Sequence, residues 1–144
     1  MARIGPYDPS LVTCSLGGIL VEGFADDSFV TLEQSEATYE IVVGVDGQAI
    51  RVFKSGSLVW NCTLSMMQVA PVNLLLGALH QLDKDAPNGA GIVPFSVVDA
   101  GGTTQFATTT AWISTPAPIT FGSGHNAKNW LVTAVDPSVL NGGN

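Results

Sequence analysis

The sequence predicts a small, mainly β domain: a β-barrel or sandwich of about eight strands with one helix inserted midway, over roughly residues 71–84. Three observations lead there. Val, Ile and Thr supply 35 of the 144 residues, and β-branched side chains fit a pleated surface while losing rotamer freedom in a helix. Short apolar runs alternate with period two and are separated by Gly and Pro. One segment breaks that rhythm and repeats at helical spacing.

The elements follow in chain order. Leu11–Leu16 and Ile19–Glu22 flank Gly17-Gly18, a two-residue hairpin signal. Phe29–Glu33 reads as a strand, and so does Thr38–Val43, with Tyr39, Ile41 and Val43 expected on its core face. Gly44–Gly56 reads as a long polar interruption in which Ile50–Phe53 has the character of a short strand. Leu58–Met67 alternates most clearly, with Leu58, Trp60, Cys62, Leu64 and Met66 on one face. In Pro71–Lys84 the residues Leu74, Leu75, Ala78, Leu79 and Leu82 fall on one helical stripe, the expected core face. Pro71 suits a first turn, and Asn73 suits a cap for a slightly later start. Gly77 and Leu76 point away from that stripe, Gly77 as a place for another backbone to approach. Ile92–Asp99 and Thr103–Ile113 are two strands around Ala100-Gly101-Gly102, and Asn129–Val135 is the last strong one. Residues 1–144 form one domain, with residues 1–10 as an N-terminal arm and 141–144 as a loose tail.

Composition narrows the function classes. Five Lys and Arg stand against twelve Asp and Glu, a net charge of −7. A protein that holds nucleic acid by neutralising phosphates needs a basic stripe, and this chain has none to offer. Charged residues are 12% of the chain and mean hydropathy is +0.33. That charged share is about half of what soluble domains carry. Such a chain covers much of its surface with other subunits. No apolar run approaches a membrane span, and the first ten residues lack the apolar core of a signal peptide.

Catalytic and metal chemistry find little support. His80 and His125 have no ligand-spaced partner. Cys14 and Cys62 lie in strands and read as reduced thiols packed as small apolar groups. Asp83–Gly89 faintly resembles a calcium loop but lacks the closing glutamate, so it reads as a polar turn. Asp26-Asp27 reads as a turn and not as an acid–base dyad, because neighbouring strand residues face opposite ways. Trp60, Trp112 and Trp130 read as core or interface residues. Neither a nucleophile elbow nor a phosphate loop is present. The expectation is a protein without cofactor or enzymatic site.

Five local patterns keep a common order along the chain. They are Tyr7-Asp8-Pro9, Gly23-Phe24-Ala25-Asp26, Gly44-Val45-Asp46-Gly47 followed by Arg51, Asn73-x-x-Leu76, and Ala111-Trp112-Ile113. Together they resemble the tail tube protein of contractile-tailed bacteriophages. Asp27 departs from the glycine often found there. The resemblance implies a small barrel that forms sixfold rings, which stack into a hollow tube inside a contractile sheath and pass DNA without binding it specifically. It implies further partners in sheath, baseplate and tail terminator proteins, no membrane partner, and a place in the virion tail after assembly in the host cytoplasm. The acidity is compatible, since an acidic lining repels phosphates.

Two groups of residues are the candidate sites. Asp46, Gly47, Arg51 and Lys54 gather three of the few ions of the chain in one interruption, which marks a ring-stacking loop. Glu33, Glu36 and Glu40 are the densest acidic run and are expected to line the lumen. Two alternatives stand beside the tail-tube reading. One is the tube of a bacterial contractile injection or secretion system, which neighbouring genes discriminate. The other is a carbohydrate-binding β-sandwich, which requires exposed aromatics on one face.

Overall fold

The computed structural model describes residues 7–26, 28–86 and 88–143. Residues 1–6 of the expected arm, Asp27, Pro87 and Asn144 lie outside them. The protein is mainly β, with ten strands and one helix, and no helix among the described residues is long and apolar enough to cross a membrane.

A short 3-10 turn at Pro9–Leu11 opens the described chain, capped where Asp8 Oδ1 accepts from the Ser10 backbone N–H at 3.0 Å. The strands are β1 (Val12–Leu16), β2 (Ile19–Val21), β3 (Val30–Gln34), β4 (Tyr39–Val43), β5 (Ala49–Phe53), β6 (Val59–Met66), β7 (Val93–Asp99), β8 (Gln105–Thr115), β9 (Lys128–Val135) and β10 (Ser138–Leu140), with helix α1 (Val72–Asp85) between β6 and β7. Eight strands form one antiparallel sheet in the order β2-β1-β7-β8-β9-β6-β3, with β10 also on β8. The sheet curls on itself. Beyond β2 the chain crosses to β6 through a Phe24–Met66 bridge and an Ala25 N–H to Ser65 carbonyl bond of 2.9 Å. This closes one end of a small barrel.

The first hairpin forms as its glycines require. Gly17 and Gly18 have φ of +59° and +83°, the left-handed pair of a tight turn. Period two then sorts the strands. Cys14, Leu16, Cys62, Leu64, Met66, Phe95, Phe106, Val132 and Ala134 are buried in one core. Phe106 meets Phe95 and Trp60 edge-on at ring separations of 5.8 and 5.5 Å, a geometry that aromatic quadrupoles favour. Cys14 and Cys62 are unpaired and buried, and burial pushes both thiols up to about 12.

Helix α1 sits where the sequence expects it but is rotated. Of the expected core stripe, Leu74, Leu75 and Leu82 are 79%, 50% and 53% exposed and Ala78 is exposed too, while Leu79 packs partly buried against the core; Val72 and Leu76 are buried, Leu76 completely. The reason is Asn73. Its side chain donates to the Met67 carbonyl at 2.9 Å and accepts from Trp130 Nε1 at 3.0 Å, which fixes the Asn73 side of the helix against the sheet. Asn73 is therefore no cap, and Leu76, three residues on, follows it inward. Gly77 faces the Trp130 ring at ordinary contact distance, not another backbone.

A further departure concerns β4. Tyr39, Ile41 and Val43 do not face the core; every residue of β4 is exposed. In the interruption after it, the short strand expected at Ile50–Phe53 is present. Ala49–Phe53 is β5, and β4 and β5 pair only with one another, in a two-stranded sheet of their own. At the chain end, the Gly142 carbonyl accepts from Thr104 Oγ1 at 3.2 Å and Gly143 N–H donates to Thr103 Oγ1 at 3.0 Å, which ties residues 142 and 143 to the body.

Candidate assembly interface

The β4–β5 ribbon is the most unusual feature of the surface. Its turn is built by Gly44-Val45-Asp46-Gly47. Gly44 N–H donates to the Gln48 carbonyl at 2.7 Å, Gly47 takes φ +85°, and Asp46 Oδ1 accepts from Gln48 N–H at 3.2 Å. An aspartate that closes a turn on its own backbone, followed by a left-handed glycine, explains that pattern in local terms. Register then pairs Tyr39 with Phe53, Ile41 with Arg51 and Val43 with Ala49 on one face, and Val42 with Ile50 and Glu40 with Val52 on the other. On the first face Arg51 lies over the Tyr39 ring at 4.0 Å, and Tyr39 meets Phe53 edge-on at 6.0 Å.

Both faces are apolar and both are bare. Tyr39, Ile41, Val42, Val43, Ile50, Val52 and Phe53 are 44% to 72% exposed. An isolated two-stranded hairpin is marginal in water, and contiguous exposed apolar surface marks an interaction site. The root of the ribbon, by contrast, is firmly held. Lys54 Nζ lies 3.7 Å from Glu36 and 3.6 Å from Glu40. Lys54 N–H donates to the Thr38 carbonyl at 2.8 Å, Gln34 Nε2 donates to the Glu36 carbonyl at 2.7 Å, and Ser35 Oγ donates to the Gly56 carbonyl at 2.8 Å. The body thus presents a braced arm with an unsatisfied apolar surface.

The structure brings together residues that the sequence assigns to two places. Lys54, from the expected stacking loop, pairs with Glu36 and Glu40, from the expected lumen lining. Asp46 and Gly47 form the arm's tip and Arg51 its flank. Glu33 lies apart from them, exposed on β3 opposite Asn61 of β6. The residues that sequence reasoning missed are Val42, Ile50, Val52 and Phe53. Their signal was present: a hairpin with apolar residues on both faces is one that something must cover from both sides.

A second apolar area lies at the start of α1. Leu74 and Val69 are exposed there, as are Ile119 and Phe121 of the 116–127 loop. That loop is clamped by Gln68, whose backbone N–H donates to His125 Nε2 at 3.1 Å, whose side-chain amide donates to the Thr120 carbonyl at 3.1 Å, and whose Oε1 accepts from Asn126 N–H at 3.1 Å. His125 is thereby a structural acceptor. Asp83 Oδ1 accepts from Gly91 N–H at 3.2 Å, so it ties the helix to the turn that follows. Among the described residues no three His, Cys, Asp or Glu side chains gather to hold a metal.

No protein-family model matches the chain. A structural protein, ORF10, of Pseudomonas phage KPP10 is 28% identical over 148 aligned positions, covering 99% of this chain and 85% of that protein. Among solved structures, the tube-terminating cap of the anti-feeding prophage superposes with a TM-score of 0.59 at 12% identity, over 97% of this chain and 94% of the cap. The chain is thus similar along its whole length to a phage structural protein, and it shares its fold with the terminating cap of a prophage tube.

Proposed function

We propose that this protein is a structural, non-enzymatic subunit of a phage tail tube, one that forms sixfold rings stacked into a conduit for DNA inside a contractile sheath. The observation that carries the reading is the braced, two-sided apolar arm on a chain of 12% charged residues. Obligate interfaces are larger and more hydrophobic than transient ones, and this surface has that composition. The likeness to a phage structural protein over nearly the full length supports a place in the virion. In this reading the arm makes the contacts between copies, with Asp46 and Gly47 at its tip, while Lys54, Glu36 and Glu40 set the angle at its root. Glu33, on the exposed side of the main sheet, lines the passage, where a carboxylate keeps phosphates off the wall. Sheath, baseplate and terminator proteins are the other partners, and assembly takes place in the host cytoplasm.

Negative-stain microscopy of the purified protein tests this directly. Rings or tubes are expected. A single monomer peak in sizing and light scattering at every concentration, with no particles on the grid, overturns it. The fold likeness to a terminating cap favours one second reading, a ring that closes a tube's end. Isolated rings that never stack, yet bind the ends of tubes, distinguish that role.

A further inference from the structure

The main sheet has an open seam. Among the described residues β3 is its last strand, bonded to β6 on one side only. The Phe24–Met66 bridge closes the barrel beyond the start of β3. From there a groove of about 1060 Å³ opens between β3 and the N-terminal turn, β1 and β7. Its wall is apolar, with Val12, Phe24, Val30, Leu32 and Val97; its exposed charged lining residue is Asp26, while Asp99 is buried and accepts from Gly101 N–H at 3.0 Å. Among the described residues no basic side chain lines it. An unpaired strand edge beside an apolar groove is the arrangement that accepts an added strand: backbone bonds give affinity and alternate side chains fill the groove.

The same chain carries a matching ligand. The arm is already β-structured. One of its faces presents Tyr39, Ile41 and Phe53 together with Arg51, which lies over the Tyr39 ring. That face offers apolar bulk and a cation, where the groove offers an apolar wall and the exposed Asp26 carboxylate. A copy's own arm does not serve, because it leaves the sheet after Gln34, at the far end of β3 from Val30, and Lys54 braces its root there.

We propose that the arm of one copy seats in the seam groove of the next, laying a strand along the free edge of β3 with Tyr39, Ile41 and Phe53 against the apolar wall and Arg51 at Asp26. The proposal rests on the ring-forming reading above and names the two surfaces that meet. Knob and groove are different surfaces, so the contact is head-to-tail. Such contacts close into rings or run on as helices.

Cysteine pairs test it. Cys14 and Cys62 are fully buried, so mild oxidation reports only introduced thiols. Val42→Cys and Thr31→Cys, which both point away from the apolar wall in this docking, are made as separate chains and as a double variant, with Val42→Cys and Glu33→Cys as a second pair in case the first disturbs folding. Mixing the two single variants gives a disulfide dimer, neither alone does, and the double variant gives a ladder on a non-reducing gel. A ladder ending at six bands places the contact within a ring; a longer one places it between rings. In parallel, Arg51→Asp raises the critical assembly concentration several-fold, as replacing an exposed ion pair by two like charges does, and Asp26→Arg in the same chain restores it. Double variants that assemble normally but give no ladder overturn the proposal and leave the ring reading standing. A disulfide within one chain also overturns it. Failure of the wild type to assemble overturns both.

Discussion

Leu76 and Leu74 differ by two positions and by everything that matters to stability. Leu76 is fully buried beneath the helix, and Leu74 is 79% exposed. Leu76→Ala leaves a cavity and costs about 3 kcal/mol, within the range for large-to-small core changes; Leu74→Ala stays within about 0.5 kcal/mol. Denaturant titration of the dissociated subunit checks the contrast, and equal losses at the two sites place the helix in its other rotation. The buried thiols give a second residue-scale expectation. Cys14 and Cys62 keep their protons to about 12 in the folded chain, against 9.0 for an ordinary thiol. The native state therefore binds more protons than the unfolded state between those values. Stability is intact below about pH 9 and falls as pH rises toward 12, with a negative slope by linkage. A thiol reagent at pH 8 labels neither cysteine in the native protein and both in denaturant; labelling of native Cys62 at a rate typical of exposed thiols contradicts this burial.

At the scale of elements, most of the sheet was legible and two elements were not. β1, β2, β6 and β9 alternate with one apolar face, and that pattern alone sets which side of each strand is buried. The Gly17-Gly18 hairpin was legible because only glycine takes both turn conformations cheaply. The helix misled because periodicity locates an apolar stripe without saying what covers it. Of the stripe, Leu79 packs against the core, but Leu74, Leu75 and Leu82 do not, because Asn73 and Trp130 bind the helix by its other side. The arm misled in the same way: Tyr39, Ile41 and Val43 are an apolar face, and none of the described residues covers it. Of the candidate site, the clustering of Asp46, Arg51 and Lys54 was legible as charge in a poorly charged chain. The ion pairs of Lys54 with Glu36 and Glu40 were not, because they depend on where the chain returns after β5.

At the scale of the whole molecule, charge and apolar surface oppose one another. Every copy brings a net −7 to an assembly, so like charges accumulate as subunits join. Against this stands the arm, with seven large apolar side chains between 44% and 72% exposed. Burying a Val, Ile or Phe side chain from full exposure gains about 1.5–3 kcal/mol, so half-exposed ones contribute several kcal/mol between them. A rim ion pair such as Arg51 with Asp26 contributes at most about 1 kcal/mol. Between about 0.01 M and 1 M salt the Debye length shrinks from ~30 Å to ~3 Å. Salt therefore removes more repulsion among net-acidic copies than it removes attraction at one pair, while apolar burial is not screened. The expected outcome is that rising salt lowers the critical concentration for assembly, measured by light scattering at fixed pH. Assembly that dissolves on raising salt indicates an interface held by ion pairs, which assigns the joining of copies to some surface other than this arm.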